Sequence, residues 1–211
     1  MRKWGWIWQP GFSHRHLNKF YDDAVDPFNF DSNPYEAEKY AHTMRLLGGR
    51  SYDHGLEIGA AEGVFTQLLA PICRSLVAID VAEAAVERAR KRLIGLDNVS
   101  FIQAALPDEM PDGSFDLIVA SDVLYYFPKD VLVDISHMMA ARLAPGGVLF
   151  SLHYLGYFGQ PITGDKVHEL LRHHLQLEQV HDESVFGVGP RGAGYTITMF
   201  RKPKNSSDRV A

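Results

Sequence analysis

Two kinds of apolar run alternate along most of this chain. Short dense runs read as strands: 54–58 in "HGLEIG", 75–80 in "SLVAID", 99–104 in "VSFIQA", 115–121 in "FDLIVAS" and 148–153 in "VLFSLH". Between them, apolar residues recur at helical spacing from Gly63, through "AEAAVERARKRL", and over 129–142. Strands this apolar, separated by helices, predict a parallel sheet covered on both faces. Upstream, "YEAEKYAHTMRLL" predicts an amphipathic helix that begins after Ser32-Asn33 and stops at Gly48-Gly49. Downstream the alternation ends. Helix "GDKVHELLRHH" is followed by "LQLEQVHDESVF", the glycine-rich "GVGPRGAG" and "YTITMFRK". Two strands joined by such a short connection run antiparallel. The expected architecture is therefore a Rossmann-like α/β fold: seven strands, mostly parallel, with a reversed C-terminal strand.

Residues 1–34 lack a clean period but carry Trp4, Trp6, Trp8, Phe12, Phe20, Tyr21, Phe28 and Phe30. They read as an irregular or partly helical aromatic cap on a single domain spanning 35–203, with 204–211 as a frayed tail. A chain of 211 residues with 46% hydrophobic and 22% charged residues is long enough for that one domain. Its 26 acidic and 21 basic residues leave a net charge of -5 with no basic stripe, which argues for a small-molecule partner and against nucleic acid. Cys73, the lone cysteine, reads as a helix end; it excludes an internal disulfide and fits a reducing cytoplasm. No run approaches the ~18 apolar residues of a membrane span, and Gln9-Pro10 interrupts the N-terminus short of a signal sequence. A metal is not expected, since His14 and His16 lie in the cap and His173-His174 on a polar helix end. Either a monomer or a homodimer suits this composition.

The candidate chemistry begins where the first strand turns. Gly59 and Gly63 stand four apart, with Ala60, Ala61 and Glu62 between them. This is neither the dinucleotide G-x-G-x-x-G nor a triphosphate-binding loop, although glycines at a strand-to-helix turn still let a ligand approach the backbone. Asp80 closes the next strand, at the same sheet edge, where a carboxylate can accept from both hydroxyls of a ribose. Glu57 lies inside the first strand, a costly place for a carboxylate without a donor or a cation. A nucleoside-containing ligand follows from the three together.

"LEIGAAEG" resembles the E-x-G-x-x-x-G motif of class I S-adenosylmethionine-dependent methyltransferases. "AID", "FDLIVASDVLYYF", "LAPGG" and the terminal hairpin resemble that family's later motifs, and together they cover most of the chain. "DPFNFDSNPYEAEKY", with "LEIG" and "VLYYF", is similar to the nodulation protein S group, N-methyltransferases acting on chitooligosaccharide amino sugars. The resemblance implies S-adenosylmethionine as cofactor and S-adenosylhomocysteine as product. It implies a binding set of Glu57, Gly59, Ala60, Gly63, Asp80, Val81, Ala105, Leu106 and Asp122. One departure is visible: Ala104 and Ala105 stand where members often carry an acid for the adenine amino group, leaving main chain, Leu106 or Asp108 to hold it.

For catalysis, Asp122 directly follows the fourth strand and is either a cap or a carboxylate facing the methyl donor. His153, at the end of the fifth, is either structural or a base meeting the acceptor. Tyr125 is a further catalytic candidate and Tyr126 a substrate contact, with an aromatic wall as the plainer role of both. Tyr21 and Phe28 are placed nearest the acceptor. The expected activity is methyl transfer to a small-molecule amine, an amino sugar being one case. The alternatives are a small-molecule O-methyltransferase and, in another class, a nucleotide-cofactor oxidoreductase or a non-catalytic nucleoside-binding module.

Overall fold

The computed structural model describes residues 14–204; the tryptophans at 4, 6 and 8, Phe12 and the tail beyond 204 lie outside the described residues. Helix α1 (His14–Asp23) precedes α2 (Pro34–Leu47). The core then runs β1 (Tyr52–Ile58), α3 (Thr66–Leu69), β2 (Cys73–Asp80), α4 (Glu83–Arg92), β3 (Val99–Gln103) and β4 (Phe115–Ser121). It continues through α5 (Lys129–Arg142), β5 (Leu143–Tyr154), α6 (Gly164–His174), β6 (Glu178–Val185) and β7 (Tyr195–Arg201). The seven strands form one sheet in the order β3-β2-β1-β4-β5-β7-β6, and β7 is antiparallel to both its neighbours.

Alternate residues of each central strand face opposite helical layers. Leu117 and Val119 join Tyr40 and Leu47 of α2, Phe65 and Leu69 on one side. Ile118 and Ala120 join Leu132 and Ile135 of α5 and Leu171 of α6 on the other. Burial on both faces is why these strands read as unbroken apolar runs, and each fully buried Leu or Ile contributes roughly 1.5–3 kcal/mol. Asn33 caps α2 by accepting from Tyr35 N–H at 3.1 Å, with Pro34 at the first helical position.

Three local expectations are corrected. The helix expected from Gly63 is confined to Thr66–Leu69, because Pro71 turns the chain into a short 3-10 segment at Ala70–Ile72. Cys73 consequently opens β2 rather than ending a helix, and it is buried. "APGG", which reads as the turn before the strand expected at 148–153, is instead absorbed into β5 as an irregularity: Phe115 pairs with Leu143 but Leu117 pairs with Val148. Gly146 N–H and Gly147 C=O remain bonded to Lys202, just beyond β7, so β5 keeps its pairing on that side across the extra residues.

The parallel register brings Ile58 opposite both Ile79 and Ala120. The turns after β1, β2 and β4 therefore emerge side by side, at the point where the strand order reverses. The segment around α1 is strapped across this edge from α4. Arg88 donates to Tyr21 O at 2.6 Å, to Ala24 O at 2.9 Å and to Glu62 at 2.7 Å, while Arg92 grips both oxygens of Asp31 at 2.7 and 2.6 Å.

Candidate active site

A cavity of about 430 Å³ opens at this edge, and its wall gathers Glu57, Gly59, Ala60, Asp80, Val81, Leu106, Asp122, Tyr125 and Tyr126 from separate stretches of chain. At one end Asp80 Oδ2 accepts from Ala61 N–H and Oδ1 from Ala82 N–H, each at 2.9 Å. Burial pushes its pKa up, opposed by these backbone bonds. Beside it, Gly59 and Ala60 both donate to Ile79 O, at 2.9 and 3.0 Å, which stitches the turn to β2. Gly59 has φ +79°, and a Cβ there would lie 2.8 Å from the Val123 side chain. Intolerance at this position is therefore one of backbone conformation and packing, before any ligand is considered.

Glu57 is 3% exposed, and its Oε2 has no hydrogen-bond partner among the described residues. Burial raises its pKa to about 7, opposed by the neighbouring Thr66 hydroxyl and helped by the Asp80 charge. An ammonium is the natural complement of such an oxygen. S-adenosylmethionine carries one, along with a ribose for Asp80 and a purine for the apolar strip of Val81, Ala104 and Leu106. On these grounds the residues present fit that cofactor.

At the other end stands a group of buried charges. Lys39, 1% exposed, contacts Glu36 Oε2 at 2.5 Å and donates to Asp122 Oδ2. Burial works against the ammonium, but the Asp122 and Glu36 charges outweigh it and hold the Lys39 pKa above its ordinary value. Asp122 Oδ1 accepts from Tyr154 N–H at 2.7 Å. Both carboxylate oxygens are thus engaged by other elements, and Asp122 caps nothing that follows it: the Leu124 N–H goes to His153 instead. Tyr35, Tyr40, Tyr125, Tyr126, Tyr154 and Phe158 complete this wall. Burial raises the pKa of Tyr125 well above 10, so its hydroxyl stays protonated and serves as wall and donor.

Several expected site residues are placed elsewhere. His153 is 0% exposed and does not line the cavity. Its Nε2 accepts from Leu124 N–H at 3.0 Å, which puts the ring proton on Nδ1, 3.1 Å from His168 Nε2. His168 Nδ1–H then donates to Thr198 Oγ1 at 2.7 Å, whose hydroxyl donates to Asp182 at 2.8 Å. Every donor and acceptor in the chain is spent, so His153 is a structural strut under the Leu124 turn and not a base. Gly63, at φ +80°, faces α4: a Cβ there would lie 3.1 Å from that of Ala89, and close packing rather than ligand approach requires the glycine. Ala105 also leaves the wall, because its N–H donates to Glu109 at 2.7 Å while Ala104 and Leu106 face inward. Tyr21 and Phe28 do line the cavity, but at its Asp80 end, packed with Ala61, Ala82, Ala84 and Ala85 and not against the Lys39 group.

The imidazole chain sets a pH dependence. Burial lowers the His153 pKa to about 3, and that of His168 also falls. A histidine whose folded pKa is depressed contributes stability that is complete above its unfolded pKa of ~6.5 and lost as pH falls toward the folded value. Urea midpoints should therefore drop between about pH 6.5 and 4. A His153→Gln variant, whose amide oxygen can accept from Leu124 N–H, should show a flatter acid limb. Equal acid slopes in the two proteins would remove the imidazole chain as the cause.

A family model described as Nodulation protein S (NodS) matches residues 12–145. The chain belongs to this family. It is 36% identical over 126 residues to nodulation protein S of Sinorhizobium fredii, covering 59% of this chain and 58% of that protein. Against the Rhizobium tropici protein it is 38% identical over 133 residues, 60% of this chain and 54% of that one. The chain thus spans about half the length of the curated relatives it matches. Among solved structures, the N-methyltransferase NodS from Bradyrhizobium japonicum WM9 in complex with S-adenosyl-L-homocysteine superposes with TM-score 0.80 at 29% identity, covering 89% of this chain and 98% of that one. The fold is accordingly the Rossmann-like class I methyltransferase fold. No described helix is long and apolar enough to cross a membrane, and no described cluster of His, Cys, Asp or Glu is arranged to hold a metal.

Within this NodS-family chain, the Glu36–Lys39–Asp122 group is what sequence reasoning missed. Charged residues on an amphipathic helix are ordinarily assigned to its solvated face. The usable signal was register: Glu36, Tyr40, Thr43 and Leu47 recur at helical spacing on one buried face of α2, and Lys39 lies beside them. The hairpin loop contributes Pro190 to the wall and accepts from the Tyr154 hydroxyl at 3.1 Å, a contact across the fold that local pattern does not reveal.

Proposed function

We propose that this chain transfers a methyl group from S-adenosylmethionine to an amine on a small molecule, an amino sugar being the favoured acceptor. The observation that carries the reading is a single cavity with two differently equipped ends. One has Asp80, the apolar strip and Glu57, whose Oε2 has no hydrogen-bond partner among the described residues; the other has aromatic rings around Glu36 and Asp122. The cofactor supplies an electrophilic methyl group on a sulfonium. The protein's work is to orient the acceptor nitrogen, exclude water and remove a proton. Alignment of two bound reactants is worth on the order of 7–11 kcal/mol, so positioning can supply much of the rate. Asp80 would hold the ribose, Val81 and Leu106 the adenine with main-chain groups, and Glu57 the ammonium, while Tyr125, Tyr126 and Asp122 wall the reacting centre.

An amine suits this site better than a hydroxyl. A hydroxyl needs a strong base near its oxygen, and His153 is committed to Leu124 and His168. Net negative charge at the acceptor end attracts an ammonium. The direct test is thermal shift with S-adenosylhomocysteine and with NAD, followed by mass spectrometry of amine and hydroxyl acceptors incubated with S-adenosylmethionine. Stabilisation by the first ligand alone and a methylated glucosamine-bearing chitooligosaccharide are expected. Methylation confined to hydroxyls would overturn the amine reading, and stabilisation by NAD alone the methyltransfer reading.

A further inference from the structure

Resting on that reading, we propose that Glu36 is the residue that receives the acceptor's ammonium and takes its proton. At this end of the cavity two carboxylates, Glu36 and Asp122, line the wall, with one cation behind them. Lys39 contributes no surface to that wall. The local charge is therefore one negative unit in excess, and the question is which carboxylate carries it.

The hydrogen bonds decide. Asp122 is held on both oxygens, by Tyr154 N–H and by Lys39. Glu36 is held only by side chains of its own helix: Lys39 Nζ, 2.5 Å from Oε2, and the Tyr40 hydroxyl. Its side chain is 10% exposed. A carboxylate held only by side chains can turn an oxygen toward a ligand's donor, whereas one pinned by a backbone N–H, as Asp122 is, cannot without losing that bond. The groups facing it are Lys39 and Tyr40 on its own helix and Asp122 across the cavity; burial raises its proton affinity and Asp122 adds to that, while Lys39 and the Tyr40 hydroxyl favour the carboxylate, and the balance is a raised pKa. That balance suits a group that must hold a proton briefly.

The step is a simple exchange. The acceptor arrives as R–NH3+, and one proton passes from nitrogen to the Glu36 carboxylate, leaving R–NH2 with its lone pair free to attack. After transfer the product leaves as R–NH2+–CH3, and Glu36 returns its proton to water. One proton is released per turnover.

Glu36→Gln removes the charge while leaving the Lys39–Asp122 pair in place. Two readouts test it, with a chitooligosaccharide carrying one free amino group as the probe and its fully N-acetylated counterpart as the control. In the S-adenosylhomocysteine complex, calorimetry should show the parent protein preferring the free amine at least about tenfold, and the variant losing that preference. In turnover, kcat/KM of the variant at pH 7 should fall by about 10²-fold or more, the range of general base catalysis. It should then climb with pH until the amine deprotonates unaided, where the parent protein has levelled off. S-adenosylhomocysteine affinity within about threefold of the parent's shows that the cofactor end is intact. If Glu36→Gln does not fold, Glu36→Asp carries the same test: it keeps the amine preference and the plateau, at reduced rate. Unchanged amine preference and an unchanged pH profile in the soluble variant would overturn the assignment. A parent protein that binds S-adenosylhomocysteine but methylates no amine would instead overturn the functional reading beneath it.

Discussion

Lys39→Met is expected to destabilise the protein by about 3–5 kcal/mol, the cost of breaking a buried charge group by removing one partner. Methionine fills much of the volume, so the loss is electrostatic. Glu36 and Asp122 are left facing each other with no cation between them, at a point where Lys39 is 1% exposed. Two features of the loss identify its origin. It should shrink as pH falls, because protonating either carboxylate relieves the repulsion. It should also be partly restored by adding Asp122→Asn, so the double variant is less destabilised than the sum of the two single ones. Urea unfolding of the four proteins at pH 5 and 7.5 measures both. A loss under about 1 kcal/mol, or strict additivity, would mean that the ammonium is not what holds α2 to the turn after β4.

Asp80→Ala is expected to weaken S-adenosylhomocysteine binding by about 1.5–3 kcal/mol, the range for losing hydrogen bonds to a charged group, or roughly 10–150-fold in Kd. The carboxylate serves the protein as well as the ligand. Ala61 and Ala82 both donate to it, so its removal orphans two amides and loosens the turns on either side of the ribose position. Asp80→Asn keeps one acceptor oxygen and should fall between the parent protein and the alanine variant. Calorimetric affinity unchanged in Asp80→Ala would remove this residue from cofactor binding.

The contrast between these two positions shows what local pattern carries. Asp80 was legible because the end of a strand is a fixed address: an acid after "AI", beside a glycine turn, has one place to be in an open parallel sheet. Lys39 was not, because its meaning depends on Asp122, 83 residues away, reaching the same point. His153 misled for the complementary reason. Its address at the end of β5 was read correctly, but the direction of its ring, toward Leu124 and His168 rather than the cavity, was set by packing against α6. Gly63 and Ala105 were likewise at the right turns, yet α4 and Glu109 took up the roles assigned to a ligand.

The sequence by itself determined the alternation of strands and helices, the reversed last strand, the cofactor edge and the family resemblance. All of these depend on periodicity, or on residue types at strand ends, and both are local. Only the tertiary structure decided which polar groups are already spent and which remain open to a ligand. Hydrogen-bond satisfaction is a property of neighbours in space: Asp122 lost its freedom to Tyr154 and Lys39, while Glu57 Oε2 kept no hydrogen-bond partner among the described residues.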